Sequence, residues 1–350
     1  MTVRALVVDD SAFIRNAIIM MLESDPDIKV VGNAKNGAEA VEKVAQLKPD
    51  VVTMDVEMPG MDGIAALKTI MEKTPVPVIM LSSLTTEGAK TTLDALDIGA
   101  VDFIPKNLSE MSVNIVAIKR ILIEKVKAVA TKEGATMQAY RPPSPPSARV
   151  AIPPRATATG ARKVSIVAIG TSTGGPKALQ DILPRLPANF PVPIVIAQHM
   201  PANFTKPFAD RLDQLSQLAV KEAEDGEALK PGVAYIAPGR GHTQLVRSRT
   251  GETTIRVSLN EDYIYRPSVD FLMLSVAELY LAKALGVILT GMGNDGLKGL
   301  SAMKRAGSRV LAQNEASCVV YGMPKAVVEA GIADKIVGID AMADEIINSI

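Results

Sequence analysis

Short apolar runs alternate with helical patterns along residues 1 to about 127. The runs at 5–8, 29–34, 51–54, 78–81 and 102–104 have the length of buried strands. Between the first two, Phe13, Ile14, Ala17, Ile18, Met21 and Leu22 recur at helical spacing, with Ser11 placed to cap the helix. Strands alternating with helices predict a parallel sheet with crossover helices. Five such units predict a doubly wound α/β domain of flavodoxin-like (βα)5 order, whose reactive crevice lies beyond the carboxyl ends of its strands.

A second pattern of this kind begins at Val164. Strands are expected at 164–169, 193–197, 234–237, 286–290 and 309–312, with a hairpin from 242–247 and 254–258. The hairpin breaks a purely parallel reading, so this second doubly wound α/β domain is expected to hold a mixed sheet. Between the two patterns lies Arg141-Pro142-Pro143-Ser144-Pro145-Pro146-Ser147-Ala148-Arg149, followed by Ile152-Pro153-Pro154. Proline removes backbone donors and favours extended polyproline II, which makes this stretch a semi-rigid linker. The expected division is a first domain at 1–127, a Pro-rich linker at 128–162 and a second domain at 163–350.

Composition narrows the partners. Lysine plus arginine equals aspartate plus glutamate at 38 each, so net charge gives no reason to expect nucleic acid or an anionic membrane. Cys318 is the one cysteine, which excludes an internal disulfide and suits a reducing compartment; packing is its expected role. The first apolar run already reads as a buried strand rather than a signal peptide. No run approaches the roughly 18 to 20 residues of a membrane-spanning helix. A cytoplasmic protein without membrane insertion is expected.

The first candidate site is acidic. Asp9 and Asp10 follow the first strand and Asp55 ends the third, so three carboxylates would share one crevice. Like charges this close are unfavourable unless a cation joins them, and oxygen ligands with open positions suit Mg²⁺. Ser82 or Ser83 adds a hydroxyl after the fourth strand, and Lys106 a cation after the fifth. Together they suit transfer of a phosphoryl group to Asp55. With Asp55-Val56-Glu57-Met58-Pro59-Gly60-Met61-Asp62-Gly63 between them, these residues resemble the receiver domain of two-component response regulators. The resemblance implies that Asp55 accepts phosphate from a histidine kinase, that Ser82 and Lys106 respond to it, and that Asp9, Asp10 and Asp55 hold the metal. Two departures stand out. Receivers usually carry Lys-Pro after the fifth strand, often with a cis bond, where this chain has Lys106-Asn107; without proline that bond costs about 2.5–4 kcal/mol. Glu57 places a carboxylate where a backbone carbonyl normally serves the metal, within expected reach of the metal or Lys106.

The second candidate site is Gly170-Thr171-Ser172-Thr173-Gly174-Gly175, directly after an apolar strand. The GxSxG spacing fits a nucleophile elbow. The same turn, with free N–H groups at a helix start, also fits a phosphate-binding loop. Two other loops can complete an acyl-transfer site: Gln198-His199-Met200-Pro201 and Thr290-Gly291-Met292-Gly293-Asn294-Asp295-Gly296. Each follows an expected strand. Taken alone, His199 could be structural and Asp295 could cap the helix near Leu297. The other histidine, His242, is expected to be structural or to face the substrate.

With all three loops, the whole chain resembles the chemotaxis protein-glutamate methylesterases, the CheB family. That resemblance implies Ser172 as nucleophile, His199 as general base and Asp295 as its orienting carboxylate, with Met292 and Thr173 at the oxyanion. It implies hydrolysis of glutamyl γ-methyl esters and deamidation of glutamines on chemoreceptor cytoplasmic domains. It also implies control by a chemotaxis histidine kinase, with Mg²⁺ at the receiver and no cofactor for the ester reaction. The chain order Ser, His, Asp differs from the Ser, Asp/Glu, His order of α/β-hydrolases, so the chemistry is convergent on a separate fold. Two readings compete: a response regulator whose second domain binds nucleic acid, and an esterase acting on another acylated protein.

Overall fold

The computed structural model describes residues 2–83, 85–106, 108–130, 163–260, 262–263 and 265–350. The first domain runs β1 (Val3–Val8), α1 (Ala12–Glu23), β2 (Ile28–Ala34), α2 (Gly37–Leu47), β3 (Val51–Asp55), α3 (Gly63–Lys73), β4 (Val78–Ser83), α4 (Thr86–Ile98), β5 (Asp102–Lys106) and α5 (Leu108–Ala130). Its strands pair in parallel in the order β2-β1-β3-β4-β5, the flavodoxin-like order expected. Every residue of β3 is buried, because helices cover both faces of the central strand. Ser11 caps α1 by accepting the Ile14 N–H. Most of the Pro-rich stretch and Asn107 lie outside the described residues.

The second domain begins with β6 (Ile166–Thr171), α6 (Gly175–Ile182), β7 (Ile194–Gln198), α7 (Ala202–Leu215), β8 (Ala219–Glu222) and β9 (Val233–Ile236). The hairpin β10 (His242–Arg247) and β11 (Thr253–Ser258) follows, then α8 (Val269–Tyr280), β12 (Ala284–Ile288) and α9 (Leu297–Arg305). The chain ends with β13 (Arg309–Gln313), α10 (Met323–Glu329), β14 (Lys335–Val337) and α11 (Ile339–Asn348). Seven strands form one sheet in the order β14-β13-β12-β6-β7-β9-β8.

The sheet is wholly parallel, which corrects the expected mixed sheet. β10 and β11 pair with each other as a separate two-stranded sheet, and β11 adds a single antiparallel bridge from Thr254 to Ala228. They bury Leu245 and Ile255 in the apolar cluster that holds Leu272 and Val276 of α8, and the Leu245 N–H is taken by Ser275 Oγ on α8 at 3.0 Å. Packing on a helix thus replaces pairing in the main sheet. From β6 the chain first builds one half of that sheet and then returns to build the other. The reversal falls between β6 and β12, where doubly wound sheets open a crevice.

Candidate active site

The carboxyl ends of β12, β6 and β7 lie side by side, with Ile288 opposite Gly170 and Thr171 opposite Gln198. Ser172 is the first residue beyond β6 and His199 the first beyond β7. The turn after Ser172 is closed by the Gly175 N–H on the Ser172 carbonyl, 2.8 Å. Gly174 has φ +77°, a left-handed conformation natural to glycine. Gly175 must be a glycine for a different reason: a Cβ there would lie 2.1 Å from Gln198 Oε1 and 2.4 Å from Thr171 Oγ1.

Ser172 Oγ lies 3.1 Å from His199 Nδ1, and His199 Nε2 lies 2.8 Å from Asp295 Oδ2. The imidazole is used in the opposite sense from the chymotrypsin arrangement, where Nε2 faces the serine. With its proton on Nε2 it donates to Asp295, and Nδ1 is left as the acceptor for the serine hydroxyl. Tyr265 stacks flat on the ring, with centroids 4.7 Å apart and planes 8° from parallel, so the imidazole has little room to swing.

Asp295 does not cap the helix that follows it. It accepts the Val269 N–H (2.7 Å), the Asp270 N–H (2.9 Å) and the Ser268 hydroxyl (3.1 Å), all at the start of α8. Asp270 in turn accepts the Gly296 and Gly299 N–H groups at the start of α9. Each carboxylate therefore serves the other's helix. Burial pushes the Asp295 carboxyl up, but the His199 ring and the α8 N–H groups outweigh it and hold the carboxyl below its usual value. Asp270 lacks such a partner, and burial raises it.

Gln198 donates its amide to the Ser172 and His199 carbonyls, both at 3.0 Å, tying the two loops together. Gln198 stands in the sequence without an evident role, and Tyr265, Ser268 and Asp270 are not among the expected site residues. The Ser268-Val269-Asp270 start of a helix was the available signal for the last two.

The other expected site also assembles. Carboxylate atoms of Asp9, Asp10 and Asp55 all lie within 4.8 Å of one another. Lys106 Nζ sits 2.6 Å from Asp9 and 2.7 Å from Asp55, so it pairs with these and not with Glu57. One ammonium against three carboxylates leaves an excess of negative oxygen, which fits a hard divalent cation. Burial pushes the Asp55 carboxyl up, against the pull of Lys106. Ser82 Oγ is engaged with α4: it donates to the Gly88 carbonyl at 3.2 Å and receives the Thr92 hydroxyl at 2.5 Å.

The two domains meet at the serine. Thr173 donates its hydroxyl to Asp102 of β5, and Lys125 of α5 pairs with the same carboxylate oxygen at 2.6 Å. Thr173 is therefore engaged by the first domain. Met292, Val319 and Val320 join the apolar cluster that contains Ile104 and Leu122 of the first domain. Phe103 stacks on Phe204 with centroids 4.5 Å apart. Arg211 of α7 binds Asp94 at 2.8 Å and also Asp97, both on α4, and Gln180 donates to Asp97 at 2.7 Å. Cys318 is buried, as expected.

Family models match both halves: CheB methylesterase over residues 167–346 and response regulator receiver domain over 5–116. The protein-glutamate methylesterase/protein-glutamine glutaminase 1 of Oleidesulfovibrio alaskensis is 51% identical, with 99% of each chain covered. A protein of the same name, numbered 3, from Pseudomonas syringae pv. syringae is 46% identical over 100% of both. The crystal structure of the Thermotoga maritima CheB methylesterase catalytic domain superimposes with a TM-score of 0.52 at 47% identity. It covers 54% of this chain and 100% of its own.

Proposed function

The chain belongs to the CheB methylesterase family, and from that premise we propose that it hydrolyses glutamyl γ-methyl esters, and deamidates particular glutamines, on chemoreceptor cytoplasmic domains. The observation that carries the reading is the continuous contact from Ser172 through His199 to Asp295 at the reversal point of the sheet.

His199 Nδ1 takes the Ser172 proton as Oγ attacks the ester carbonyl. The same nitrogen then protonates the departing methoxide, and methanol leaves. Water, deprotonated at Nδ1, attacks the acyl-serine and yields glutamate; a glutamine would follow the same route with ammonia leaving. Asp295 stabilises the imidazolium formed in each half. The N–H groups of the Thr173 turn and of Met292 are proposed for the oxyanion, where a single donor is worth about 2.7–4 kcal/mol of barrier. No cofactor is needed for this sequence.

Residues 1–127 are proposed to act as the switch, joined through 128–162 to the esterase at 163–350. Asp55 takes the phosphoryl group of a histidine kinase as the P–N bond breaks. Asp9, Asp10 and Asp55 would hold Mg²⁺, which offsets the phosphoryl charge. Lys106 and Ser82 then turn to the phosphate oxygens. Ser82 must leave Gly88 and Thr92, and both belong to α4, the helix whose Asp94 and Asp97 hold Arg211. Movement of α4 would release the receiver from the serine.

Two features speak against a nucleic-acid role: the balanced charge and the absence of tryptophan. Among the described residues no helix is long and apolar enough to cross a membrane. Loss of methanol release in Ser172→Ala, with receptor binding intact, tests the assignment; retention of the native rate overturns it.

A further inference from the structure

We propose that His242, which the esterase chemistry above leaves unused, is a positioning residue: its Nδ1 fixes Ser268, and Ser268 in turn fixes the Asp295 carboxylate against His199. The inference rests on the esterase reading of Ser172.

His242 opens β10 and is wholly buried, with its ring tilted against Tyr263 at 5.5 Å and Phe271 at 5.4 Å between centroids. An aromatic or leucine side chain would satisfy those walls. What they do not explain is the polar contact: His242 Nδ1 accepts the Ser268 N–H at 3.1 Å. Ser268 is the N-cap of α8, and its backbone N–H has no place in the helix ladder. The Ser268 hydroxyl caps the Phe271 N–H and also donates to Asp295 Oδ1 at 3.1 Å. The adjoining N–H groups of Val269 and Asp270 bind the same carboxylate. Three of the four donors on Asp295 thus depend on how the start of α8 is held, and His242 is the side chain holding it from the hairpin.

A ring nitrogen that accepts from an N–H carries no proton, so His242 must be the Nε2–H tautomer. Burial pushes its imidazole down, which keeps it neutral and able to accept. The hairpin outside the main sheet therefore reaches the catalytic residues through one hydrogen bond.

The test uses the whole chain. His242→Phe fills the space without an acceptor, whereas His242→Asn restores one in place of Nδ1. For His242→Phe we expect kcat on methylated receptor to fall roughly 10- to 100-fold, by analogy with the loss of an outer-shell partner that orients a metal-ligating histidine. KM should stay unchanged, and His242→Asn should recover most of the rate. A folded His242→Phe with kcat within twofold of the native enzyme overturns the proposal, as does equal loss in both variants. If native protein releases no methanol, the esterase reading itself fails, and the structural claim still has its own readout. The chain has two histidines, so ¹⁵N-histidine labelling of the native protein reports both rings. A protonated Nε2 and bare Nδ1 at His242 is the expected result; a proton on Nδ1 contradicts it.

Discussion

Thr173, the residue after the nucleophile, donates its side-chain hydroxyl to Asp102 of the receiver. The first domain therefore grips the turn whose N–H groups are proposed to face the oxyanion. Under the proposed regulation, this contact gives inhibition a direct hold on the catalytic loop.

Weakening that hold should raise the resting activity. Asp102→Asn removes a charge-assisted bond worth about 1.5–3 kcal/mol. Methanol release without phosphodonor is expected to rise roughly tenfold or more, while the phosphodonor-stimulated rate stays near native. An unchanged resting rate would show that Asp102 does not restrain the esterase.

The Arg211 contacts with Asp94 and Asp97 are half exposed and should contribute less. An exposed pair contributes about 0.2–1 kcal/mol, so losing both pairs in Arg211→Ala should raise resting activity by no more than about thirtyfold. Added salt screens such pairs. Native resting activity should climb with ionic strength, and that of Arg211→Ala should climb less.

These predictions join residues far apart in sequence, and that separation marks the limit of what the sequence made legible. Asp9, Asp55, Lys106, Ser172, His199 and Asp295 are legible because each lies at or just beyond the carboxyl end of an apolar strand, and parallel strands bring those ends together. The edge strands β8 and β14 were not found. Ala219–Glu222 buries only Val220, and Lys335–Val337 buries only Val337, so neither makes an apolar run. The hairpin strands were found, but their partner was not, because the α8 face they cover has no sequence-local mark. Thr173–Asp102 and Ser268–Asp295 join residues whose spacing carries no motif. Asp295 precedes α9 in sequence, yet its carboxylate turns to α8, where three donors converge.

Asp295 gives a pH prediction with a definite sign. Its folded carboxyl is held below the ordinary value of 3.8. A depressed acid contributes stability that is present above the unfolded pKa and lost as pH falls through the folded one. The gap in urea midpoint between native protein and Asp295→Asn should be full above about pH 4 and shrink below it. At neutral pH the same variant should lose about 10⁴ in kcat, because an asparagine favours the wrong imidazole tautomer.

Lys106 would compete with a metal for Asp9 and Asp55, since its ammonium already contacts both. Mg²⁺ should therefore bind weakly before phosphorylation, and Lys106→Met should bind it more tightly while losing activation by phosphodonor. Thermal shift against Mg²⁺ concentration measures the first effect and methanol release the second. Equal Mg²⁺ affinity in the two proteins would contradict the competition.

A Ser172 esterase restrained by an Asp55 receiver is tested most directly by methanol release from methylated receptor cytoplasmic domains, measured with and without a small-molecule phosphodonor in native protein, Asp55→Asn and Ser172→Ala. The predicted result is release that phosphodonor stimulates in native protein, does not stimulate in Asp55→Asn, and does not occur in Ser172→Ala. Release by Ser172→Ala at the native rate, or equal stimulation of Asp55→Asn, would contradict it.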